Sequence, residues 1–481
     1  KKMSLPKVIS QDTYDEVVLE NVTDFDKTLA EAIDETVQEF EAQGVLLSNI
    51  IKNVSLSDNQ DAIVHPILNA LEELRLVNSS SDSPALEQVS APITTFRKEC
   101  ELSLCHRVMA AKKGAYDVLI RLINKSRNNV EVLCPLLQSM VALTDGNPDI
   151  LTVEGMQVMQ ELAESYKSNY SCDAMEYLAR WCLLSNLKHE VNRQALFAIQ
   201  LPHSLVGSLH QVDPVQHKTR VLTTLKAIKS FTLDDDIRTE FGKAHDNCRH
   251  VVEEEKLIKV SLDIIKASVK SGSGLVAGEA LSTLSSVCVR AEYCRQATDL
   301  GALDVINSIL LNFLDSAVLT KQSMALIATL AGDDNVKYQV MKSATPFLIT
   351  KAFDKHQLNV GVCGACCTAI SMLVLRQPKN GAAMLECGAA ASMLQAMKQH
   401  PKQKQLQKMG CLGVRNICCR SSENAALLRE LQADDVVLTA LKTHGADIKD
   451  MANGALRDLG VDVTLVEQWH GTGHELEQGD D

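Results

Sequence analysis

Two clusters of cysteines are the residues whose types and spacing could carry chemistry in this chain. They lie in GVCGACCTAI (Cys363, Cys366 and Cys367) and in CLGVRNICCR (Cys411, Cys418 and Cys419). A Cys-x-x-Cys spacing can hold zinc or take part in redox chemistry, and an exposed thiolate can act as a nucleophile. The elements that position these thiols decide between such chemistry and simple packing.

A second candidate metal site lies in the stretch FGKAHDNCRHVVEEE, residues 241–255, which contains His245, Cys248 and His250. Mixed histidine and cysteine at short spacing can bind zinc. The competing interpretation is a polar surface segment with incidental histidines, and we predict that no metal is bound. The sequence contains no nucleophile elbow, Walker loop or zincin histidine pair, so we predict no catalytic residues, no cofactor and no enzymatic activity.

Composition indicates a helical protein with an aliphatic core. The chain has 481 residues, of which 46% are hydrophobic and only 4% aromatic, and glycine and proline are sparse. Its net charge of −13 disfavours a nucleic-acid partner, because neutralising phosphates requires basic surfaces. No stretch approaches the roughly 20 apolar residues that span a bilayer, so we expect no membrane association.

The cysteine count and the absence of an export signal predict an intracellular protein. No basic start is followed by an apolar run, so we expect no secretion. Fifteen cysteines form an odd set in a large chain, which is typical of reduced thiols. We therefore expect a cytoplasmic or nuclear location, or both.

A self-similar unit of about 43 residues begins near residue 92. Each unit has a small-residue turn and an apolar helix, and the turns contain Gly114, Gly155, Gly301, Gly388, Ala344 and Ala433. A longer helix follows, and one apolar position of it recurs at Met140, Cys182, Ile228, Leu284, Ile327, Ile370, Val414 and Leu456. These positions are 42 to 46 residues apart, except for one step of 56 that contains residues 241–255. This period is typical of armadillo and HEAT repeats, and the glycine-alanine turn favours armadillo.

Six stretches of the sequence closely resemble the armadillo-repeat family. In order they are AQGVLLSNIIK, AAKKGAYDVL, LTDGNPD, LKHEVNR, DDDIR and ALRDLG, and the match covers nearly the whole chain. The resemblance implies an intracellular armadillo protein. We therefore predict an all-α fold, a right-handed armadillo-repeat superhelix (α-solenoid) with a helical N-terminal extension.

The predicted domains follow from this repeat. Residues 1–91 are expected to form a helical, partly flexible extension, and residues 92–465 about eight to nine repeats with a longer insert at 241–255. Residues 466–481 are acidic and polar, and we expect them to be a flexible tail.

Aligning the long helices favours packing as the role of the cysteines. Cys367 shares its column with Leu281, Met324 and Cys411. A column that accepts leucine, methionine and cysteine requires an apolar side chain, and free cysteine packs as a small hydrophobe. Zinc would need four converging ligands, whereas the interior of one helix offers two on one face.

Armadillo solenoids bind extended peptides along a concave groove, so we predict a protein-protein interaction scaffold with a peptide or helical partner. The candidate groove residues are Ser230, Ser286, Arg290, Thr329, Met372, Arg376, Asn416 and Arg420. One alternative is a nuclear-transport-like receptor for basic peptides, but only Asn416 fits the asparagine ladder of such receptors, and neither Trp181 nor Trp469 extends it. The other alternative is a metal- or redox-responsive module.

Overall fold

The computed structural model describes residues 7–59, 62–79, 83–210 and 212–462. The chain divides into two compact units, Lys1–Thr283 and Leu284–Asp481. Within the described ranges, no helix has both the length and the apolar character needed to cross a membrane.

The first unit contains one short antiparallel hairpin and a succession of helices. Its strands are β1 (Ser55–Leu56) and β2 (Ile63–Val64), with Ser55 opposite Val64. Its α-helices are α1 (Gln11–Thr23), α2 (Leu29–Ala42), α3 (Pro66–Asn78), α4 (Leu86–Leu102), α5 (Leu104–Lys112), α6 (Ala115–Lys125), α7 (Val130–Thr144), α8 (Val153–Tyr166), α9 (Ala174–Asn186), α10 (Glu190–Ala198), α11 (Leu201–Gly207), α12 (Lys218–Ser230), α13 (Ala244–Glu253) and α14 (Leu257–Lys270). A 3₁₀ turn spans Pro148–Ile150, and α15 (Gly274–Val287) runs across the division between the units.

The second unit continues the succession of helices. They are α16 (Ala291–Asp299), α17 (Ala302–Asn312), α18 (Ala317–Leu330), α19 (Asp334–Lys342), α20 (Thr345–Lys355), α21 (Val360–Val374), α22 (Pro378–Glu386), α23 (Ala389–Gln399), α24 (Lys404–Cys418), α25 (Ser422–Glu430), α26 (Ala433–His444) and α27 (Lys449–Asp458). A 3₁₀ turn spans Gly445–Asp447.

Most repeats consist of a short first helix, a second helix and a long third helix. The third helices pack on one another in sequence order: α4, α7, α9 and α12 in the first unit, and α18, α21, α24 and α27 in the second. The recurring apolar position predicted from the sequence is fully buried in all eight helices that carry it. Each repeat thus covers an apolar face that its neighbour cannot bury alone.

The N-terminal segment folds into a small module with its own core. Tyr14 and Val18 of α1 pack with Ala32 and Phe40 of α2. The Thr28 hydroxyl accepts the backbone N–H of Glu31, whose carboxylate accepts that of Thr28, so a capping box starts α2.

This module is attached to the first repeats by polar contacts. The Asp15 carboxylate lies 2.6 Å from Nε2 of His65, just before α3. The Cys105 thiol of α5 donates to the backbone oxygen of Ser48 at 3.0 Å, and Lys113 lies 3.4 Å from Asp12. The predicted boundary between residues 91 and 92 lies inside α4, and the predicted tail 466–481 lies outside the described residues.

The turns between first and second helices require a left-handed backbone at most repeats. Gly114, Gly301 and Gly388 have φ values of 83°, 92° and 80°, where glycine avoids the cost of a Cβ. At other repeats Gln200, Lys256 and Gln432 take the same conformation, and Ala433 is the first residue of α26. Two of the predicted turn residues differ: the backbone of Ala344 has a right-handed helical conformation, and Gly155 lies inside α8.

The DDDIR segment, residues 234–238, holds a buried arginine and starts α10. The Arg193 guanidinium is fully buried and donates to Glu190 at 2.6 Å and to Asp235. It also donates to the backbone oxygens of Leu233 and Asn186.

Asp236 accepts the backbone N–H of Glu190 at 2.8 Å, and the Arg238 guanidinium beside it holds the pKa of Asp236 well below its usual range. Opposite charges therefore compensate one another at this repeat boundary.

Replacing Arg193 by methionine removes the charge while keeping an apolar stem, and should lower the free energy of unfolding by about 3 kcal/mol, because the Glu190 and Asp235 carboxylates lose their partner. Arg249→Met is the control, since Arg249 is exposed and its guanidinium lies 3.8 Å from the Asp246 carboxylate. Its effect should stay below about 0.5 kcal/mol. Urea denaturation followed by circular dichroism measures both, and equal effects would contradict this account of the buried network.

Two helical glycines of the second unit should respond oppositely to alanine. A Cβ on Gly381 would lie 2.9 Å from the Ile417 backbone oxygen, so Gly381→Ala should destabilise the protein by about 1–3 kcal/mol. A Cβ on Gly364 would meet no atom within 4 Å, so Gly364→Ala should stabilise it by up to about 1 kcal/mol through helix propensity. Thermal unfolding of both variants tests the pair, and a stabilised Gly381→Ala would contradict the packing.

Candidate functional site

The third helices of the first unit line a hollow of about 420 Å³. Its polar and apolar lining comes from three successive third helices, from Arg107 of α5 and from the turn that follows α7. It includes Arg97, Gln138, Asp145, Tyr177, Arg180 and Leu184. Such a position, open to solvent and shared by several repeats, is where an elongated partner can contact many side chains at once.

A hydrogen-bonded row crosses this hollow. The Arg97 guanidinium of α4 donates to the side-chain oxygen of Gln138 in α7. The Gln138 amide in turn donates to the Tyr177 hydroxyl of α9. The members are 41 and 39 residues apart, which is one repeat at each step. The row therefore holds three polar side chains at fixed positions on one face of the stack.

Burial and charge set the electrostatics of the hollow. Burial, reinforced by Asp173, raises the pKa of Glu176, and burial also raises the pKa of Tyr177. Arg107 lies 3.6 Å from the Asp145 carboxylate and donates to the Cys100 backbone oxygen. Arg180 is exposed at the rim. The hollow thus presents both signs of charge beside apolar surface.

Sequence reasoning missed this row because it aligned apolar positions only. Gln138 lies two residues before the recurring position of its helix, at Met140, whereas Tyr177 lies five before its own, at Cys182. The row therefore does not follow one alignment column. The tyrosine side chain is longer than that of glutamine, so Tyr177 reaches Gln138 from a position one helical turn earlier in its own helix. A search for polar side chains recurring at 39 to 41 residues could have found it.

Four of the predicted groove residues lie partly exposed in the second unit, near the ends of third helices. Ser286, Thr329, Met372 and Asn416 are each half-buried at corresponding positions of α15, α18, α21 and α24. The Asn416 amide donates to the Ser371 backbone oxygen of the preceding third helix at 3.0 Å. The single asparagine that fits a ladder therefore joins two helices of its own chain.

Ser230 occupies a different environment. It belongs to the first unit and is buried at the end of α12. Its hydroxyl donates to the Ala227 backbone oxygen and accepts from the Asn186 amide at 3.3 Å. The structure therefore gives Ser230 a packing role between α9 and α12.

The three predicted groove arginines do not share one local geometry. Arg376 and Arg420 are exposed and have left-handed backbones, with φ values of 59° and 62°. Arg290 is half-buried with an extended backbone, lies 3.6 Å from Glu292 and covers the Tyr293 ring. Arg290 is thus held against α16, whereas the other two project from the turns after α21 and α24.

The acidic residues at helix ends serve the fold. Asp235 and Asp236 hold Arg193 and the start of α10. Asp333 accepts the backbone N–H groups of Asn335 and Val336, and so caps α19. These carboxylates satisfy groups of their own chain.

Both cysteine clusters lie in third helices, and most of their thiols are buried. Cys363, Cys366, Cys367 and Cys411 are fully buried in α21 and α24, whereas Cys419 is exposed. Burial raises the pKa of Cys363 to about 11 and of Cys411 to about 12. Burial raises that of Cys367 further, with smaller contributions from Cys363 and Cys411. Neutral thiols packed as apolar groups account for these positions.

The candidate metal ligands of the insert do not converge. His245 is exposed on α13, whereas Cys248 is buried. The His250 ring packs edge-on against Phe197 at 5.2 Å, and its Nε2 lies 3.5 Å from Glu255. Within the described part of the chain, no three histidine, cysteine or acidic residues are gathered so that they could hold a metal ion.

Comparison with known families covers nearly the whole chain. The ARMC6 family model matches residues 67–477, and the armadillo repeat-containing protein 6 N-terminal domain matches residues 6–65. The chain is 32% identical over 395 residues to the armadillo repeat-containing protein 6 homolog of Drosophila melanogaster, covering 80% of this chain and 81% of that protein. It is 32% identical over 392 residues to armadillo repeat-containing protein 6 of Homo sapiens, covering 78% and 75%.

Solved structures with the same fold are distant in sequence. An engineered protein superposes with a TM-score of 0.66 at 14% identity, covering 82% of this chain and 89% of its own. A chain from a structure concerning the phosphorylation-controlled interaction between cadherin and beta-catenin has a TM-score of 0.54 at 13% identity, covering 81% and 68%. The predicted all-α armadillo solenoid and the family resemblance are confirmed.

Burial of Cys411 predicts a loss of stability in alkali. Below pH 9 the Cys411 thiol is protonated in both the folded and the unfolded protein. Above pH 9 the unfolded chain releases the proton, whereas the folded protein keeps it until about pH 12, so the free energy of unfolding falls. Cys411→Ala should reduce this fall by about 1.4 kcal/mol per pH unit between pH 9 and 12. Urea titrations at several pH values measure the slope, and an unchanged slope would contradict a protonated, buried thiol.

Proposed function

This chain belongs to the armadillo repeat-containing protein 6 family, and on that premise we propose that it is a non-enzymatic scaffold that binds a peptide or helical segment of another protein along its third helices. The observation that carries the proposal is the row of Arg97, Gln138 and Tyr177 beside the open hollow of the first unit. An intracellular location is part of the same proposal, supported by the use of free cysteines as small core residues.

The row supports binding because its side chains are fixed before a partner arrives. Each member is held by its neighbour, so little side-chain entropy is lost on contact. Leu184, which is half-buried in the same hollow, offers apolar surface, and Arg180 at the rim offers a charge for orientation. Affinity would come from many such contacts, with no covalent step.

The two alternative functions have less support. A receptor for basic peptides would need a ladder of asparagines and tryptophans, but Asn416 is engaged with Ser371 and Trp181 is fully buried next to Tyr116. Trp469 lies outside the described residues. A metal- or redox-responsive module would need converging ligands or an activated thiol, whereas burial raises the pKa of Cys366 and of Cys367.

The hollow can be tested by reversing one charge. Arg180→Glu should reduce capture of a specific partner by about tenfold or more, because it puts a like charge beside Glu176 and opposes any contact made by the arginine. Quantitative mass spectrometry of proteins that co-purify with the full chain identifies the partner, and titration of the purified pair measures the affinity.

Arg121→Glu is the matched control. Arg121 is exposed on α6, a second helix of the same unit, so its reversal makes the same change in net charge away from the hollow. Capture should be unchanged in this variant. If both reversals weaken capture equally, or if neither does, the hollow of the first unit is not the binding surface.

A further inference from the structure

Three of the third helices of the second unit together carry a charge opposite to that of the whole chain. Helices α18, α21 and α24 together contain four lysines and arginines (Lys321, Lys404, Lys408 and Arg415) and no aspartate or glutamate. The chain as a whole carries a net charge of −13. The three helices pack directly on one another. Their net positive charge, opposite in sign to that of the chain, therefore marks one face of the unit.

Two of these lysines occupy the same position on their helices. Lys321 lies six residues before Ile327 and Lys408 lies six before Val414, and both reference residues are the recurring buried position. The corresponding residue of the helix between them is Gly364. A Cβ there would meet no atom within 4 Å, so the face is open at this point. Two lysines thus flank a gap that lacks a side chain.

The side chain of Lys321 lies against the start of α21, one turn before the gap. Its Cδ lies 3.7 Å from the place where a Cβ of Gly361, one turn before Gly364, would be. Among the described residues, neither Lys321 nor Lys408 has an ion-pair partner, whereas Lys404 lies 3.1 Å from Asp447 and Arg415 lies 3.8 Å from Asp458. Two positive charges therefore remain uncompensated on either side of the gap.

An apolar strip continues from the gap toward the other end of the helices. Its members are half-buried residues of the same exposed face: Ala325, Ala365, Thr368, Met372 and Leu412. Beyond the strip, Arg376 and Arg420 project from the turns that follow α21 and α24. The face thus consists of small and apolar side chains with positive charge at both ends.

We propose that this face binds an acidic peptide segment that places a carboxylate over Gly364, between Lys321 and Lys408, and apolar side chains on the strip. The inference rests on the proposed function, since it names the partner class for third helices that bind peptides. The apolar strip supplies affinity, and the lysines supply orientation and rate of association. The acidic remainder of the chain repels such a segment and so favours this face.

Fluorescence anisotropy with the full chain tests the charge of the partner. The probes are three labelled pools of 16-residue peptides with the same leucine and alanine content, whose other residues are aspartate and glutamate, lysine and arginine, or serine and asparagine. We expect the acidic pool to bind most tightly, and its affinity to fall as the salt concentration rises.

Charge reversal and a steric block assign the binding to this face. Lys321→Glu with Lys408→Glu should weaken binding of the acidic pool by about tenfold or more. The matched control is Lys351→Glu with Lys398→Glu, since both lysines are exposed on second helices, and it should leave binding unchanged. Gly364→Phe fills the gap without changing charge, and should weaken any peptide bound there.

The possible outcomes separate the two proposals. If the basic or neutral pool binds more tightly and Gly364→Phe removes that binding, the third helices bind peptides but the acidic partner is wrong. If the acidic pool binds and both double reversals weaken it equally, the attraction is non-specific and the site is wrong. If no pool binds, peptide recognition by this face fails together with the partner class.

Discussion

The burial of one apolar side chain by the next repeat is the interaction on which the rest of this structure depends. The recurring position is fully buried in all eight third helices that carry it, although those helices differ otherwise in length and charge. A single armadillo repeat cannot bury this face alone, so each third helix requires its neighbour. Because the inner side of each third helix is committed to packing, its outer side is aligned, within its own unit, with the outer sides of its neighbours. The hollow, the hydrogen-bonded row and the basic face all follow from that alignment.

Much of the fold could be predicted because burial repeats at a constant period. The steps of 42 to 46 residues identified the third helices, and the glycine turns at Gly114, Gly301 and Gly388 identified the second. The cysteine clusters could be assigned to packing by the same alignment, since leucine and methionine occupy equivalent columns and the thiols are buried. Gln200, Lys256 and Gln432 escaped this reasoning, because they adopt a left-handed backbone that their residue types do not signal.

The candidate site was less predictable, since polar contacts between repeats do not obey a single column. Asn416 was expected to face a partner, yet it donates to Ser371 of the neighbouring helix. Ser230 was expected in the groove, yet a hydrogen bond from Asn186 accompanies its burial. In both cases the length of the side chain and the residue opposite decided its contact. Similarly, the three aspartates of segment 234–238 have the composition of an open acidic patch. One of them, Asp235, instead accepts a hydrogen bond from the buried Arg193, which lies over 40 residues earlier in the sequence.

The row of Arg97, Gln138 and Tyr177 has a direction that follows from its chemistry. A guanidinium can only donate, so the Gln138 carbonyl must face Arg97 and its amide must face Tyr177. The tyrosine oxygen then accepts, and its own hydrogen points away from the row. The last member of the row is therefore polarised as a donor by a cation two repeats away. A segment lying against α9 gains most by offering this hydroxyl a backbone carbonyl, a group that every sequence possesses.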